Sequence, residues 1–288
     1  MPGPNFIVIG SAKCATTSLC SILGRHPQIF MSEPKEPNFF AQDELYERGV
    51  DWYEDLFAGG GDAVLRGEGS ARYTVREVYP RAAARIAAYD PTMKLVYSVR
   101  HPLRRIEAAY LEILSWGERF ETRVERPFAK ALRRNSSWLV ASTNYRRELE
   151  AYRQHFPDEQ ILVMFFEDFV TDSDSAVRRC LEFLGADPKV ELAREGRHEN
   201  PSVGKKVPSR ALAMWRGIRP LRRIGRLLPE STRAWIGDTF LLREVRERPS
   251  WDPKTLAWVR DQLEADSREF LERYGKPADF WSFDEPRG

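Results

Sequence analysis

A lysine among small and hydroxyl-bearing residues stands near the start of the chain. Residues 6–19 read FIVIGSAKCATTSL, so an apolar run gives way to a turn with Lys13 and then to Thr16, Thr17 and Ser18. Backbone N–H groups at the start of a helix bind anions, and a nearby ammonium group adds a full positive charge. The stretch therefore predicts a phosphate-binding turn between a strand and a helix.

This turn departs from the nucleotide P-loop, G-x-x-x-x-G-K-[ST]. Gly10 matches the first glycine, but Ala15 stands at the second and Thr16 at the lysine, so the usual contact with a γ-phosphate is missing. Two alternatives remain open. The segment is an ordinary strand–helix connection with a surface lysine, or it belongs to a P-loop phosphotransferase. The second alternative draws on an apolar run that ends in Glu167 and Asp168, like the acid that binds Mg²⁺ in such enzymes.

The composition limits the class of protein. The 288 residues are 42% hydrophobic and 31% charged, which fits a soluble α/β protein with a sizeable core. A net charge of +2 argues against a nucleic-acid partner. No apolar run has the length of a membrane helix, and the start lacks the basic segment of a signal peptide. Three scattered cysteines do not make a disulfide framework or a zinc site, so we expect a cytoplasmic protein without a metal.

Strands and helices alternate along the first part of the chain, which predicts a P-loop-like parallel sheet flanked by helices. From about residue 205 the pattern is helical, and a last helix over 252–275 has an Asp N-cap and a closing Gly. We expect one domain over 1–288, with a core over 5–185 and a helical cap with a binding loop over 198–288. The predicted strands are 6–10, 28–31, 63–66, 94–99 and 160–166, and the predicted helices are 16–25, 77–89, 102–116, 143–155 and 172–184.

Two blocks of the sequence resemble one enzyme family. GSAKCATTSLCSILGRHPQIFMSEPKEPNFF (10–40) resembles the 5′-phosphosulfate loop and following strand of sulfotransferases that use 3′-phosphoadenylyl sulfate (PAPS), in particular bacterial relatives of the heparan-sulfate type. KLVYSVRHPLRRIEAAY (94–110) resembles the strand–loop–helix of that family, with its motif R-x-P-x-x-R-x-x-S-x-Y. GEGSARY (67–73) and residues 145–169 also fit. The likeness covers most of residues 5–185.

The resemblance implies that PAPS is the sulfuryl donor, that 3′-phosphoadenosine 5′-phosphate (PAP) is the product, and that no metal is needed. Lys13 would neutralise charge on the bridging oxygen of the P–O–S bond. Arg100 would bind the 3′-phosphate. Ala108 stands where the family has a serine, and losing that hydroxyl donor costs about 1 kcal/mol. Backbone N–H groups would also bind the donor, at Cys14, Ala15, Thr16, Thr17 and Ser18.

A polar loop late in the chain, HENPSVGKKVPSR (198–210), is the candidate for closing over the 3′-phosphate. There Lys205 and Lys206 would supplement Arg100, and a solvated basic loop is the alternative. The surrounding segment, residues 205–226, is rich in Lys and Arg and has no acid. It fits a basic amphipathic face for an anionic substrate, a carrier protein or a membrane surface, or simply charges that face water.

The resemblance also implies a base for an alcohol acceptor. Glu36 in KEPNFF aligns with the glutamate that serves as base in heparan-type members, and such a base contributes ~10²–10⁴-fold to the rate. Glu33 is the local competitor, and the alternative for Glu36 is a surface carboxylate near Lys35. Three residues that follow a strand are further candidates for the acceptor pocket, together with Glu36: Ser70, Arg72 and Tyr73.

The acceptor itself is not named by any motif. Gly69 replaces a lysine of the heparan-sulfate members, so a heparan-like substrate is in doubt, and we expect O-sulfation of an alcohol hydroxyl on a small metabolite or a glycan. A nucleotide-dependent phosphotransferase and a non-catalytic nucleotide-binding protein are the alternatives, and Ala108 favours the second. His26 and His101 precede prolines, and we interpret them as structural.

Overall fold

The computed structural model describes residues 3–116, 127–190, 192, 206–208, 242–244 and 248–284. A parallel sheet of five strands stands at its centre in the order β2-β3-β1-β4-β5, which confirms the predicted fold class. Since β1 pairs with β3 on one side and β4 on the other, the carboxyl ends of these strands lie side by side. The strands are β1 (Phe6–Gly10), β2 (Ile29–Met31), β3 (Leu65–Gly69), β4 (Lys94–Val99) and β5 (Ile161–Phe165).

Helices cover both faces of the sheet. Alternate residues of β1 point to opposite faces, so Phe6 and Val8 pack with α1 and α10, while Ile7 and Ile9 pack with aromatic residues and with α4, α8 and α11. The helices are α1 (Thr16–Leu23), α2 (Asp43–Tyr46), α3 (Val50–Asp55), α4 (Ala82–Tyr89), α5 (Pro102–Trp116), α6 (Phe128–Arg134), α7 (Ser136–Leu139), α8 (Tyr145–Arg153), α9 (Phe166–Thr171), α10 (Ser173–Leu184) and α11 (Pro253–Arg273).

Short 3₁₀ turns complete the described connections. One of them, Ala71–Thr74, follows β3 and lies at the carboxyl edge of the sheet. The others connect elements away from that position: Ala58–Gly60, Ala141–Thr143 and Asp158–Gln160. No helix of the described residues is both long enough and apolar enough to cross a membrane.

Two predicted boundaries differ from the structure for identifiable reasons. The helix predicted from residue 77 begins at Ala82, because Pro80 has no N–H to donate and disfavours helical backbone before it. The strand predicted over 63–66 runs over Leu65–Gly69. Its two glycines have low strand propensity, so the sequence did not indicate its true end. At Gly67 a Cβ atom would lie 2.1 Å from the ring of Phe6, so the packing of β1 against β3 requires a glycine there.

The prediction that the chain is helical after residue 205 was wrong in part. β6 (Lys206–Pro208) pairs antiparallel with β7 (Leu242–Glu244), and β6 lies against α5. Lys206 therefore lies in a strand, whereas Lys205 and most of the loop 198–210 lie outside the described residues, as does most of the basic segment 205–226. The final helix is as predicted: the Asp252 side chain caps it by accepting a hydrogen bond from the N–H of Thr255.

Candidate active site

The turn between β1 and α1 presents backbone N–H groups at the carboxyl edge of the sheet. α1 begins at Thr16, and its N-cap residue, Ala15, has φ 62° and provides no side-chain cap. The first N–H groups of a helix have no acceptor within the helix, and here the first helical bond runs from Leu19 N–H to Ala15 O. The N–H groups of Thr16, Thr17 and Ser18 thus form the start of an anion site.

Hydrogen bonds to β4 fix the position of this turn. Ser11 N–H donates to Ser98 O at 2.6 Å, and Ser98 Oγ donates to Cys14 O at 2.5 Å. The N–H of Cys14 itself donates to Ser11 O at 3.3 Å, so it is used inside the turn. Burial raises the pKa of the Cys14 thiol to about 12, which keeps it protonated at neutral pH. Cys14 therefore contributes backbone geometry rather than a nucleophile.

Lys13 points from the turn toward α5. Its backbone has φ 69°, and its side chain is 15% exposed. The ammonium Nζ lies 3.0 Å from Oε1 of Glu112 on α5. The structure thus places a partly buried cation at the turn, where a bound anion would compete with Glu112 for it.

Arg100 follows β4 and reaches the same turn. Its Nη1 donates to Lys13 O at 3.4 Å, and its guanidinium lies 4.1 Å from the ring centroid of Phe166. Tyr145 fixes the backbone, because its hydroxyl accepts from Arg100 N–H and donates to Arg100 O. Among the described residues, no carboxylate forms an ion pair with this half-buried cation, which suits it to an anionic ligand.

Sequence reasoning matched Arg105 to the motif but gave it no role. The side chain is 1% exposed, and its Nε donates to Ala12 O in the turn at 3.3 Å. Its Nη1 donates to Leu139 O at 3.2 Å and to Thr143 Oγ1 at 2.8 Å. Arg105 therefore ties the turn to the segment before α8. Its place in R-x-P-x-x-R was the available signal.

Ala108 lies buried on α5, with 4% exposure. The methyl group offers no hydrogen bond, so this position supplies no donor to a phosphate.

Glu36 lies in the loop after β2. Its carboxylate is 35% exposed and lies 2.9 Å from Nζ of Lys35, while Glu33 is exposed. Glu36 and Asn38 both have left-handed backbone, with φ of 60° and 53°. Asn38 Nδ2 donates to Glu36 O at 2.7 Å. The geometry leaves Glu36 accessible, as a base must be, and its role stays a prediction.

A buried carboxylate lies beneath this loop. Glu68, at 0% exposure near the end of β3, accepts hydrogen bonds from Tyr73 OH at 2.6 Å, Ser70 Oγ at 2.7 Å and Tyr53 OH at 3.3 Å. Burial raises the pKa of Glu68 to about 7, although these three hydroxyl groups lower it. Sequence reasoning missed Glu68, because an isolated acid inside a glycine-containing strand gives no periodic signal.

The predicted pocket residues have different surroundings. Ser70 and Tyr73 are buried, and their hydroxyl groups bond Glu68 rather than face an open cavity. Arg72 is only partly buried, its Nη1 donates to Tyr79 OH at 2.6 Å, and its guanidinium lies 5.5 Å from the ring centroid of Trp138. Contact of any of them with an acceptor stays a prediction.

The acids and histidines of the alternative functions are engaged elsewhere. Glu167 Oε1 accepts from His101 N–H at 2.8 Å, and Asp168 pairs with Lys276 at 2.7 Å. His26 is buried and bonded to backbone groups. His101 lies 2.8 Å from Ser282 O, and burial lowers its pKa to about 4. These contacts weaken the phosphotransferase alternative.

The geometry defines an α/β protein with an anion-binding turn, and a family model for the sulfotransferase domain matches residues 3–200. The chain belongs to the sulfotransferase family, which confirms the resemblance seen in the sequence.

Individual relatives agree with this assignment. Mouse (Mus musculus) heparan sulfate glucosamine 3-O-sulfotransferase 3A1 is 32% identical over 186 residues, which are 63% of this chain and 46% of the relative. Human (Homo sapiens) heparan sulfate glucosamine 3-O-sulfotransferase 3B1 is 31% identical over 185 residues, which are also 63% of this chain and 46% of the relative. The crystal structure of a sulfotransferase from Alicyclobacillus acidocaldarius superposes with TM-score 0.59 and 28% identity, covering 69% of this chain and 88% of that one. The chain spans about half the length of the curated relatives it matches.

Proposed function

We propose that this chain transfers the sulfuryl group of PAPS to a hydroxyl group of a glycan or a small molecule. The observation that carries the proposal is the contact between the two sequence blocks. Arg100 Nη1 lies 3.4 Å from Lys13 O, so the cation of one block joins the anion-binding turn of the other. Membership of the sulfotransferase family supports the same reaction.

The donor side has the groups that a sulfated nucleotide needs. PAPS supplies a sulfuryl group on a phosphate leaving group. Lys13 and the N–H groups of Thr16–Ser18 would hold the 5′-phosphosulfate, and Arg100 the 3′-phosphate. An ammonium aimed at developing negative charge stabilises a transition state more than a ground state. Lys13 would have to exchange Glu112 for the donor to act in this way.

The acceptor side needs a base. Glu36 would accept the proton of the acceptor hydroxyl, so its carboxylate must be ionised and no longer held by Lys35. The loop that carries Glu36 and the turn that carries Lys13 both lie at the carboxyl edge of the sheet, because Ser70, which follows β3, bonds Asn38. This common edge is where α/β sheets bind ligands.

The acceptor we propose is a small metabolite or a glycan other than heparan. At Gly69 a Cβ atom would lie 2.6 Å from Cys20 Sγ, so a larger side chain requires Cys20 to move. A lysine at position 69, as heparan-type members have, would therefore require the surroundings of Gly69 to rearrange. Three further properties remain predictions: that the protein is cytoplasmic, that it needs no metal, and that it has no nucleic-acid partner.

Calorimetry tests the donor first. We expect PAP to bind, and Mg²⁺ to leave its affinity unchanged, while ATP binds more weakly with or without Mg²⁺. Tight, Mg²⁺-dependent binding of ATP without binding of PAP would instead support the phosphotransferase.

An acceptor screen with radiolabelled PAPS tests the transfer. We expect label on a hydroxyl compound of the panel. Binding of PAP with no transfer to any alcohol, sugar or glycan would support a non-catalytic nucleotide-binding protein.

A further inference from the structure

We propose that Glu68 is a positioning residue for the segment that carries the base, residues 36–40, called here the base loop. The hydroxyl groups of Ser70 and Tyr73 donate hydrogen bonds to its carboxylate. The two hydroxyl oxygens are then free to accept hydrogen bonds from backbone N–H groups of that loop. This inference rests on the proposed function, since it gives a purpose to the position of Glu36.

Two chains of hydrogen bonds connect the base loop to Glu68 in the core. Asn38 N–H donates to Ser70 Oγ at 3.0 Å, and Ser70 Oγ is 2.7 Å from Glu68 Oε2. Phe40 N–H donates to Tyr73 OH at 3.4 Å, and Tyr73 OH is 2.6 Å from Glu68 Oε1. One carboxylate therefore stands behind two backbone anchors, one on each oxygen.

The direction of these bonds depends on charge. An ionised carboxylate only accepts hydrogen bonds, so each neighbouring hydroxyl group must donate its one O–H hydrogen bond to the carboxylate. A protonated Glu68 carries one proton, which it can donate to Ser70 or to Tyr73 but not to both. The hydroxyl group that receives this proton no longer has its own proton held by the carboxyl group, so that proton is free to turn toward the loop N–H group and break the anchor. Ionised Glu68 thus keeps both anchors, and neutral Glu68 loosens one of them.

The base loop needs an external anchor. Glu36 and Asn38 both have left-handed backbone, which non-glycine residues rarely adopt unless the surroundings hold them there. The hydrogen bond from Asn38 Nδ2 to Glu36 O lies inside the loop and connects the anchored residue to the base. Loss of the Ser70 anchor would therefore reach Glu36 through a single residue.

A charge at this position opposes folding, which argues against a purely structural role. The folded pKa of about 7 exceeds the ordinary value of 4.5. The contribution of Glu68 to stability is therefore complete below pH 4.5 and is lost as the pH rises through about 7. Order of the base loop should change in the opposite direction, because ionisation strengthens the anchors. The two roles thus predict opposite pH profiles.

The tyrosines and the thiol around Glu68 do not change charge between pH 6 and 8. Burial raises the pKa of the tyrosines from α3, the 3₁₀ turn and α8 well above the ordinary value, and that of the Cys20 thiol to about 12. Glu36 adds a negative charge that raises the pKa of Glu68 further. The tyrosines are Tyr53, Tyr73 and Tyr152.

Amide hydrogen exchange measured by NMR on the full chain tests the inference without any acceptor. We expect Glu68→Gln, whose NH2 group can only donate, to lower the protection factor of the Asn38 or the Phe40 amide about fivefold at pH 8, the effect of roughly one hydrogen bond. In the unchanged protein, protection of at least one of these amides should fall as the pH is lowered through about 7.

Glu148→Gln is the matched control. Glu148 is also buried, burial raises its pKa to about 7, and its Oε2 accepts from Arg76 N–H at 2.8 Å, away from the base loop. This variant should leave the protection of Asn38 and Phe40 unchanged. Equal loss in both variants would show that exchange follows global unfolding and would overturn the inference.

Single anchors can be removed if Glu68→Gln does not fold. Ser70→Ala should expose the Asn38 amide alone, and Tyr73→Phe the Phe40 amide alone. Unchanged protection in both variants would overturn the inference.

Calorimetry with PAP separates this inference from the proposed function. We expect Glu68→Gln to bind PAP within twofold of the unchanged protein, while kcat for sulfation falls and KM for PAPS holds. An unchanged protein that does not bind PAP would refute the proposed function alone. Normal binding of PAP together with unaltered exchange in Glu68→Gln would refute the positioning role alone.

Discussion

The donor side and the acceptor side of the candidate site share one sheet edge but are built differently. The donor side uses backbone N–H groups of the turn after β1 and the cations Lys13 and Arg100. The acceptor side uses a loop held by hydroxyl groups over the buried anion Glu68. Positive charge therefore gathers where a leaving phosphate would lie, and negative charge gathers where a proton would be removed.

This difference shows how each side can be altered. The cations of the donor side act directly on a ligand, so their removal should change binding or transfer with little effect on the fold. The acceptor side depends on a buried chain of hydrogen bonds, where the loss of one partner leaves another unsatisfied. A single substitution there should combine structural and chemical effects.

The largest effect we expect is from Glu36→Gln, which tests the acceptor side. An amide cannot take a proton from an alcohol, so kcat should fall by ~10²–10⁴. Affinity for PAP, measured by calorimetry, should stay the same, since the donor side is untouched. The exposed Glu33→Gln is the control and should keep its activity. Sulfation by Glu36→Gln near the original rate would remove this residue from the mechanism.

Lys13→Ala tests the donor side. Removing a cation that faces the leaving group should lower the rate of single-turnover transfer by ~10²–10³, while thermal unfolding stays close to that of the unchanged protein. Lys254→Ala, an exposed position on α11, serves as the matched control. A Lys13→Ala enzyme that transfers at the original rate would show that the ammonium group does not act on the reacting bond.

The donor side could be predicted from the sequence because its residues are close together in the chain. Strand, turn and helix follow one another within residues 6–19, and the lysine and hydroxyl-bearing residues among them indicate an anion site. The role of Arg100 came from the resemblance of its block to the family motif, and the position of that block agrees with the rule that ligands bind at the carboxyl ends of parallel strands. The hydrogen bonds of Arg105 to Ala12 O in the turn and to Thr143 before α8 could not be predicted, because they join segments far apart in sequence.

The acceptor side could be predicted only in part. The resemblance pointed to Glu36, but nothing in the sequence showed that Ser70 and Tyr73 are buried, or that Glu68 joins them. The glycines that obscured β3 also obscured this acid. Burial and hydrogen-bond direction arise from packing between distant segments, so residue patterns along one segment cannot reveal them.

Gly69→Ala tests whether packing excludes a side chain from the acceptor side. A Cβ atom 2.6 Å from Cys20 Sγ forces a rearrangement, and overpacking of this kind costs about 1–3 kcal/mol of unfolding free energy in urea. In the double variant with Cys20→Ala, the sulfur is gone, so the two costs should not add. Additive costs would show that Cys20 is not the obstacle, and that packing against Cys20 does not exclude a heparan-type lysine at this position.

Ala108→Ser should have the smallest effect, because it adds a single hydroxyl group to the donor side. If that hydroxyl reaches the 3′-phosphate bound by Arg100, affinity for PAP in calorimetry should rise about fivefold, the effect of one hydrogen bond. Ala109→Ser is the matched control, since Ala109 is also buried on α5 but packs among apolar residues. Its affinity for PAP should stay at the original value. An equal response in the two variants would mean that position 108 does not face the donor, and that the missing serine is no weakness of this site.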